Sequence, residues 1–394
     1  MLTRLAIGRR GLRNPSTIAL FAAVLALYGG FVVLSTGKHY DGDQCRFADC
    51  GSRFYDQLPD GLRSRIECPP RPGDGFDGQF FLYLAHDPFA VEGVEAGLDF
   101  PRVRARRILS SWIAALVTGR GALGSPALAL LVLQVVCGAA FVALAATRLV
   151  PSHASPAAGW TTIFGLAFSP FVLLSIDKLT TENLASLLLV LSILAARSER
   201  LRTGAAFAAL AMLAKDVTIL WPVAVIADAL RRRDGRRASL FVLSFLPFAL
   251  WYSSLLFRFP GPQGVSDATA FPLTGLVRAI AGAIATFPDK KALFVLLGAP
   301  AFVILSVLAI VRGSSRSAGA AGIFAVLSGV LLLSLDVPSW SYFLGFARQA
   351  HFLAIAVLAL DSQTSKGGSR LLPLLWAWIG AVGVLFSGGK LLLA

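Results

Sequence analysis

Long apolar runs alternate along the chain with short polar breaks, and this rhythm predicts helices throughout. A helix needs about 20 apolar residues to cross a bilayer. Runs at or near that length fall at 18–35, 126–147, 159–176, 181–196, 203–230, 239–257, 292–311, 318–335, 341–360 and 371–391. The longest polar stretch, from Lys38 to about Ser125, follows the first run, and a second polar interval occupies 258–291.

The breaks are not evenly charged. Arg4, Arg9, Arg10 and Arg13 precede the first run, and Arg197, Arg200 and Arg202 follow the fourth. Arg231, Arg232, Arg233, Arg236 and Arg237 close the fifth, and Arg312, Arg316, Lys366 and Arg370 mark later breaks. Basic clusters of this kind mark cytoplasmic loops. They place the amino terminus inside and both polar intervals outside. A signal peptide is the alternative for the first run, but the run is long for an h-region and no A-x-A pattern follows it.

The run 203–230 has basic residues at both ends, so it must enter and return, turning at Lys215-Asp216. Each limb then reaches only about 20 Å, short of the roughly 30 Å hydrocarbon core. The alternative is one tilted helix with a charged pair in its middle. With the hairpin, the chain is an all-α, polytopic transmembrane bundle of about eleven spans. Its parts are a tail and first span (1–36), an outer loop (37–124), core spans (125–257), a second outer loop (258–291) and late spans (292–394).

Composition agrees with this picture: 394 residues, 56% hydrophobic and 15% charged, with mean hydropathy +0.71. Soluble domains are about 25% charged, so that class is excluded. The formal charge of +14 is explained largely by the inside clusters, and no aromatic-interleaved basic stripe suggests nucleic acid. Cys45, Cys50 and Cys68 share the outer loop while Cys137 lies in a span, so at most one bridge forms among the three. No Cys or His spacing suits structural zinc. The loop carboxylates leave use of Mg²⁺ or Mn²⁺ open, although no ligand set is evident.

Most loop acids (Asp41, Asp49, Asp56, Asp60, Asp99) read as solvated groups. The segment Phe76 to Pro88 stands apart, because Phe80, Phe81 and Leu84 keep helical spacing and Pro88 supplies a stop. It predicts a short amphipathic helix lying on the membrane surface. Asp77 opens it, either as an N-cap or as a carboxylate held where a lipid-borne head group would arrive. Asp43 and Asp74 compete for the second role from Gly-rich contexts. A further interfacial helix is expected over 102–119, with Arg102, Arg104, Arg106 and Arg107 facing phosphate, whether a substrate's or that of anionic lipid head groups.

Charges within or beside apolar runs are costly and mark function by default. Asp177 to Asn183, Lys215-Asp216, Asp336 and Arg348 all fall at or just below the outer face, so they should converge beneath the outer loop. The alternative is structural pairing, of Lys178 with Glu182 at i,i+4 and of Lys215 with Asp216.

In this order, the residues resemble the GT-C superfamily of integral-membrane glycosyltransferases, which use polyprenyl-phosphate-linked sugars. Phe76, Asp77, Gly78 and Phe81 are similar to the aromatic-Asp-Gly motif of the family's first outer loop, Thr181-Glu182 to its Thr-acid element, and Leu213 to Asp216 to its Leu-Thr-base-acid stretch. Arg102 to Gly119 sits where the family has a juxtamembrane helix. The resemblance implies Asp77 as catalytic base, and Arg348 and Lys215 on the donor phosphate with help from Arg106 or Arg107. Glu182, Lys178, Gln79, Tyr83, His86 and Asp87 would support them. It implies a lipid or glycan acceptor and a multi-pass protein of a bacterial-type inner membrane, acting on the extracytoplasmic face. Two departures stand: Gly78 replaces the second acid of many relatives, and no large soluble carboxy-terminal domain follows the spans. A lipid-linked sugar flippase and a non-catalytic assembly subunit are the rival readings.

Overall fold

The computed structural model describes residues 15–119, 121, 124–150, 156–260, 273–287, 289–335, 343–363 and 371–392. Among these residues every regular element is helical, and isolated β bridges join Cys50 with Gly75 and Gly51 with Arg71. Five helices are long and apolar enough to cross a membrane: Thr17–His39, Pro126–Arg148, Ala157–Asp177, Gly235–Arg258 and Val295–Gly313. Other apolar helices are shorter, among them Leu201–Ala214 and Gly319–Leu333.

The first long helix, α1 (Pro15–His39), is followed by loop helices α2 (Ser52–Tyr55), α3 (Asp60–Arg63), α4 (Asp77–His86), α5 (Pro101–Ala105) and α6 (Leu109–Gly119). The bundle continues with α7 (Pro126–Arg148), α8 (Pro156–Ala167), α9 (Pro170–Asp177), α10 (Glu182–Arg197), α11 (Leu201–Ala214), α12 (Leu220–Arg231), α13 (Gly235–Leu243) and α14 (Phe245–Arg258). It ends with α15 (Thr274–Ala285), α16 (Lys290–Gly313), α17 (Gly319–Leu333), α18 (Phe343–Asp361) and α19 (Leu371–Leu392).

Several apolar runs are therefore broken. The run 159–176 divides at Ser169, whose extended backbone (φ −62°, ψ 136°) is what the proline at 170 imposes on its predecessor. Residues 258–291 were expected to be a polar loop, yet they contain the apolar helix α15, whose preceding residue Leu273 donates its amide to Leu333 at the end of α17. Its apolar positions, spaced through Leu276, Ile280 and Ile284, were masked in the sequence by the polar residues around them.

Ion pairs and hydrogen bonds define two ends of the bundle. At one end Tyr40, just past α1, donates its hydroxyl to Asp177 at the end of α9 (2.9 Å), and the outer loop covers this junction. At the other end Arg312 on α16 meets Asp361 on α18 (3.3 Å), and Arg237 donates to the carbonyl of Ala196 (2.9 Å). Arg197, Arg200, Arg202 and the cluster 231–237 gather here, so we refer to a loop end and a basic end.

The hairpin over 203–230 is present. Helix α11 stops at Ala214, a 3-10 turn covers Asp216–Ile219, and α12 returns. Trp221 near the turn donates its indole N–H to Ser192 on α10 (2.9 Å). The single tilted helix is thereby excluded. The tip is fixed by Lys215, which pairs with Glu182 at the start of α10, both side chains being essentially inaccessible. In the alternative reading Lys215 pairs with Asp216; instead the turn sends the two neighbouring side chains to different partners, Lys215 to Glu182 and Asp216 to Arg106 and Arg107.

Removing one member of a fully buried pair leaves an uncompensated charge, at a typical cost of about 3–5 kcal/mol. Lys215→Met should lower stability by this order, measured as the unfolding midpoint in detergent. Adding Glu182→Leu to Lys215→Met should recover most of the loss.

Candidate functional site

The long polar loop after α1 is a packed unit and not a flexible strap. Cys45 and Cys68 form its disulfide, closing 23 residues of chain, while Cys50 and Cys137 are free and buried. Burial pushes the Cys50 thiol up to about 12, so it stays protonated. Around this staple, Phe54 meets Phe80 edge-on at 5.3 Å and Tyr55 lies 6.4 Å from Tyr83.

Helix α4 occupies its expected position, from Asp77 with a C-terminal stop before Pro88, but not its expected environment. Gly78 through Ala85 are all buried, so α4 is a core helix of the loop and does not lie on a membrane surface. Helix α6 packs on it: Ser111 donates its hydroxyl to the carbonyl of Phe81 (2.8 Å), and Trp112 donates its indole N–H to that of Pro88, just past the helix (2.7 Å).

The start of α4 is seated with little clearance on the turn between α9 and α10. A Cβ at Gly78 would stand 2.2 Å from the backbone oxygen of Lys178, so only glycine allows this approach. Gly75 has φ +69° and is equally confined, with Asp49 O at 2.4 Å from an added Cβ. Across the interface, buried Leu179 sits at φ +47°, an unfavourable conformation for a branched apolar residue, held by the surrounding packing.

Asp77 is not the N-cap. Phe76 holds that position with extended backbone (φ −134°, ψ 170°), and Asp77 is the first helical residue. Its carboxylate instead meets Arg104 Nη1 at 2.9 Å. The same guanidinium holds Asp99 through two bonds, Nε to Oδ1 at 2.7 Å and Nη2 to Oδ2 at 2.6 Å, and lies 4.7 Å over the Phe80 ring. Asp99 was expected to be a solvated loop acid; its side chain is only 20% exposed.

The stretch 102–119 is not one helix. It breaks between α5 and α6, and its arginines turn toward protein. Arg102 donates Nε to the carbonyl of Phe259 (2.8 Å). Trp251 donates to the carbonyl of Ala105 (2.8 Å), which docks α5 on α14. Arg106 and Arg107 converge on one carboxylate, Asp216 at the hairpin tip, at 2.6 and 2.9 Å. A guanidinium withdrawn from water needs an anion, and carboxylates on loop and bundle supply it here. Burial lowers Arg106 from its ordinary value, and its Nε–H is buried without an acceptor.

The i,i+4 pairing of Lys178 with Glu182 fails, because α10 begins only at Glu182 and residues 178–181 are not helical. Lys178 reaches Asp49 (2.6 Å), another loop acid first read as solvated, and lies 5.8 Å from the centre of the Phe76 ring. Glu182 is taken by Lys215. Asp43 caps a 3-10 turn by accepting the amide of Cys45 (2.8 Å), and Asp74 meets Arg53 (3.1 Å) at an exposed position.

Three of the residues expected in supporting roles, Gln79, Tyr83 and Asp87, make hydrogen bonds within the loop. Gln79 Oε1 accepts from the amide of Gly51 (2.9 Å) and the hydroxyl of Tyr83 (3.2 Å), and its Nε2 donates to the carbonyl of Asp74 (2.7 Å). Asp87 accepts the amides of Val91 and Glu92 (3.0 and 2.8 Å). His86 is half-buried at the end of α4. Arg348 falls on α18, but its side chain, like Asp336, lies outside the described residues. Thus Asp77, Arg106, Arg107, Lys178, Glu182 and Lys215 are brought to the loop end.

Sequence reading missed Arg104 as the partner of Asp77, and Asp49 and Asp99 as anchors. The Asp99/Arg104 spacing held a local signal; the Asp77/Arg104 and Asp49/Lys178 contacts cross between elements and had none. Among the described residues no group of three or more His, Cys, Asp or Glu side chains could hold a metal ion. Comparison of the chain with family models, curated proteins and solved structures finds no match.

Two expected outcomes follow from this packing. Gly78→Ala should force α4 away from Lys178 at a cost of about 1–3 kcal/mol, the usual range for overpacking, seen as a lower unfolding midpoint. Burial, aided by Arg65, lowers the His86 imidazole from 6.5 to about 4. The unfolded chain therefore takes up this proton first as pH falls, so the stabilising contribution is intact above pH 6.5 and is lost toward pH 4. Limited proteolysis of the loop across that window should show rising cleavage, with a weaker dependence in His86→Gln.

Proposed function

We propose that the protein is a membrane glycosyltransferase that moves a sugar from a polyprenyl-phosphate donor to a hydroxyl of a lipid or glycan acceptor. The observation that carries this reading is the charge arrangement at the loop end. Arg106 and Arg107 share the single carboxylate of Asp216, which leaves that pair one positive charge over, while their neighbour Arg104 holds two carboxylates, Asp77 and Asp99, and leaves one negative charge over. A carboxylate beside a partly uncompensated guanidinium pair suits a reaction in which one group accepts a proton and another meets a departing phosphate.

Asp77 acts as general base. It takes the proton of the acceptor hydroxyl as the oxygen bonds to the anomeric carbon, and the bond from that carbon to the donor phosphate oxygen breaks with its electrons leaving on phosphate. General-base assistance of this kind typically contributes about 10²–10⁴ in rate. Arg106 and Arg107 stabilise the growing phosphate charge, an interaction stronger in the transition state than in the ground state. Arg348 keeps its donor-phosphate role on sequence grounds. Lys215, held by Glu182, acts through the position of the Asp216 tip. Inversion at the anomeric carbon follows from a single displacement.

The setting is a multi-pass protein with about eleven crossings, its loop end on the extracytoplasmic face of a bacterial-type inner membrane. Five apolar helices of crossing length and the gathering of arginines at the opposite end support this orientation.

Purified protein in liposomes, given polyprenyl-phosphate sugars and candidate acceptors, should form product. Asp77→Asn should lower transfer by about 10²-fold or more while donor binding and the unfolding midpoint stay near wild type, since Arg104 keeps Asp99. Near-normal transfer by that variant removes Asp77 from the base role. Movement of unmodified lipid-linked sugar between leaflets without product would replace the transferase with a flippase.

A further inference from the structure

The basic end holds a cavity of about 240 Å³, several times the roughly 30 Å³ that one water occupies. It is bounded by the end of α10, by α12 and α13, and by the start of α17. Since α10 has 16 residues, this cavity is about 24 Å along that helix from Glu182. The loop-end site uses none of its residues. Arg197, Arg232 and Arg237 line it, with Asp228, Trp221 and Gln363.

Charge in this wall is unevenly matched. Asp228 is buried and already holds two arginines, Arg231 at 2.7 Å and Arg232 at 2.9 Å. Arg197 has no carboxylate; its Nη2 donates to the backbone carbonyl of Ala359. Arg237 donates to the carbonyl of Ala196, and its acid, Glu199, stands 3.5 Å away with a side chain 72% exposed to solvent. Three lining arginines thus face two carboxylates, one of which also holds Arg231. The Nε–H groups of both Arg197 and Arg237 lack an acceptor and are closed off from the cavity, and each Nη2 is taken by a carbonyl, so an anion there meets the remaining guanidinium N–H groups. A hydrogen bond from a charged guanidinium to an oxyanion is a strong one.

One feature of the backbone adds to the positive potential. Helix α17 begins at Gly319 in the cavity wall, whereas the start of α13 is capped by Asp234, which accepts the amide of Arg237 (3.0 Å). Amides at helix starts carry partial positive charge. Gly319 has φ +56°, and an added Cβ would stand 3.0 Å from Arg232 Nη2, so the helix start and this guanidinium are close neighbours.

We propose that this cavity is a second anion site, for a phosphate-bearing group, held by Arg197 and Arg237 and bordered by Arg232. The shared chemistry is a phosphate oxyanion between two guanidinium groups. Either a phospholipid head group or a soluble phosphate could supply it, and the site stands independently of glycosyl transfer at the loop end.

The test uses the full chain in phosphatidylcholine nanodiscs, alone, with phosphatidic acid added to the bilayer, or with inorganic phosphate in solution. Phenylglyoxal modification of each arginine is followed by peptide mass spectrometry. Protection of Arg197 and Arg237 by about tenfold, equivalent to about 1.4 kcal/mol, with exposed Arg236 unchanged, supports the site. Protection by phosphatidic acid alone assigns a lipid head group, and protection by phosphate assigns a soluble source. Equal reactivity under all three conditions overturns the proposal, as does equal protection of Arg236, which would mean general surface screening. In a second measurement, saturable thermal stabilisation by the protecting anion should be lost in Arg197→Gln/Arg237→Gln and retained in Arg236→Gln. Retention in the double variant also overturns it.

Discussion

Placing charge inside an apolar bundle is the constraint around which this protein is organised. Lys215 and Glu182 are both inaccessible, and neither could be ionised there without the other. Their contact joins the first residue of α10 to the residue that ends α11, which fixes how deep the hairpin tip reaches. The tip in turn presents Asp216 to the loop, where Arg106 and Arg107 meet it. One buried pair therefore determines where bundle and outer loop are bound together.

The same rule orders the rest of the loop end. Arg104 between Asp77 and Asp99, and Lys178 on Asp49, are each contacts between segments distant in sequence or across an element boundary. Backbone packing makes them possible: Gly78 lets α4 come within reach of the 178–182 turn, and the Cys45–Cys68 bridge holds the loop that carries Asp49. Electrostatic matching and close backbone approach act together, since the first gives direction and the second gives distance.

At the basic end the match is incomplete. Asp228 satisfies its two arginines, whereas Arg197 has only a carbonyl and Arg237 a distant, solvated acid. The two ends of one bundle thus treat positive charge differently. At the loop end it is mostly neutralised by protein carboxylates, and at the basic end an excess borders a cavity.

The chain's sequence alone determined the helical class, most helix positions, the hairpin turn at Lys215-Asp216 and the arginine clusters 197–202 and 231–237 that mark the basic end. These follow from apolar run length and from charge spacing, both of which act locally along the chain. It also identified α4 and its Asp77. What it could not provide was the environment of either: an alternation of apolar and polar residues fits a helix on a membrane surface as well as one buried beneath other loop segments, and only packing decides. Pairing was equally out of reach. Lys178 and Glu182 have the right spacing for a helix, but the helix starts too late, and Asp77 is matched by an arginine 27 positions on. Tertiary structure chose the partners, because a charge withdrawn from water binds the counter-charge that folding brings nearest, whatever its distance in sequence.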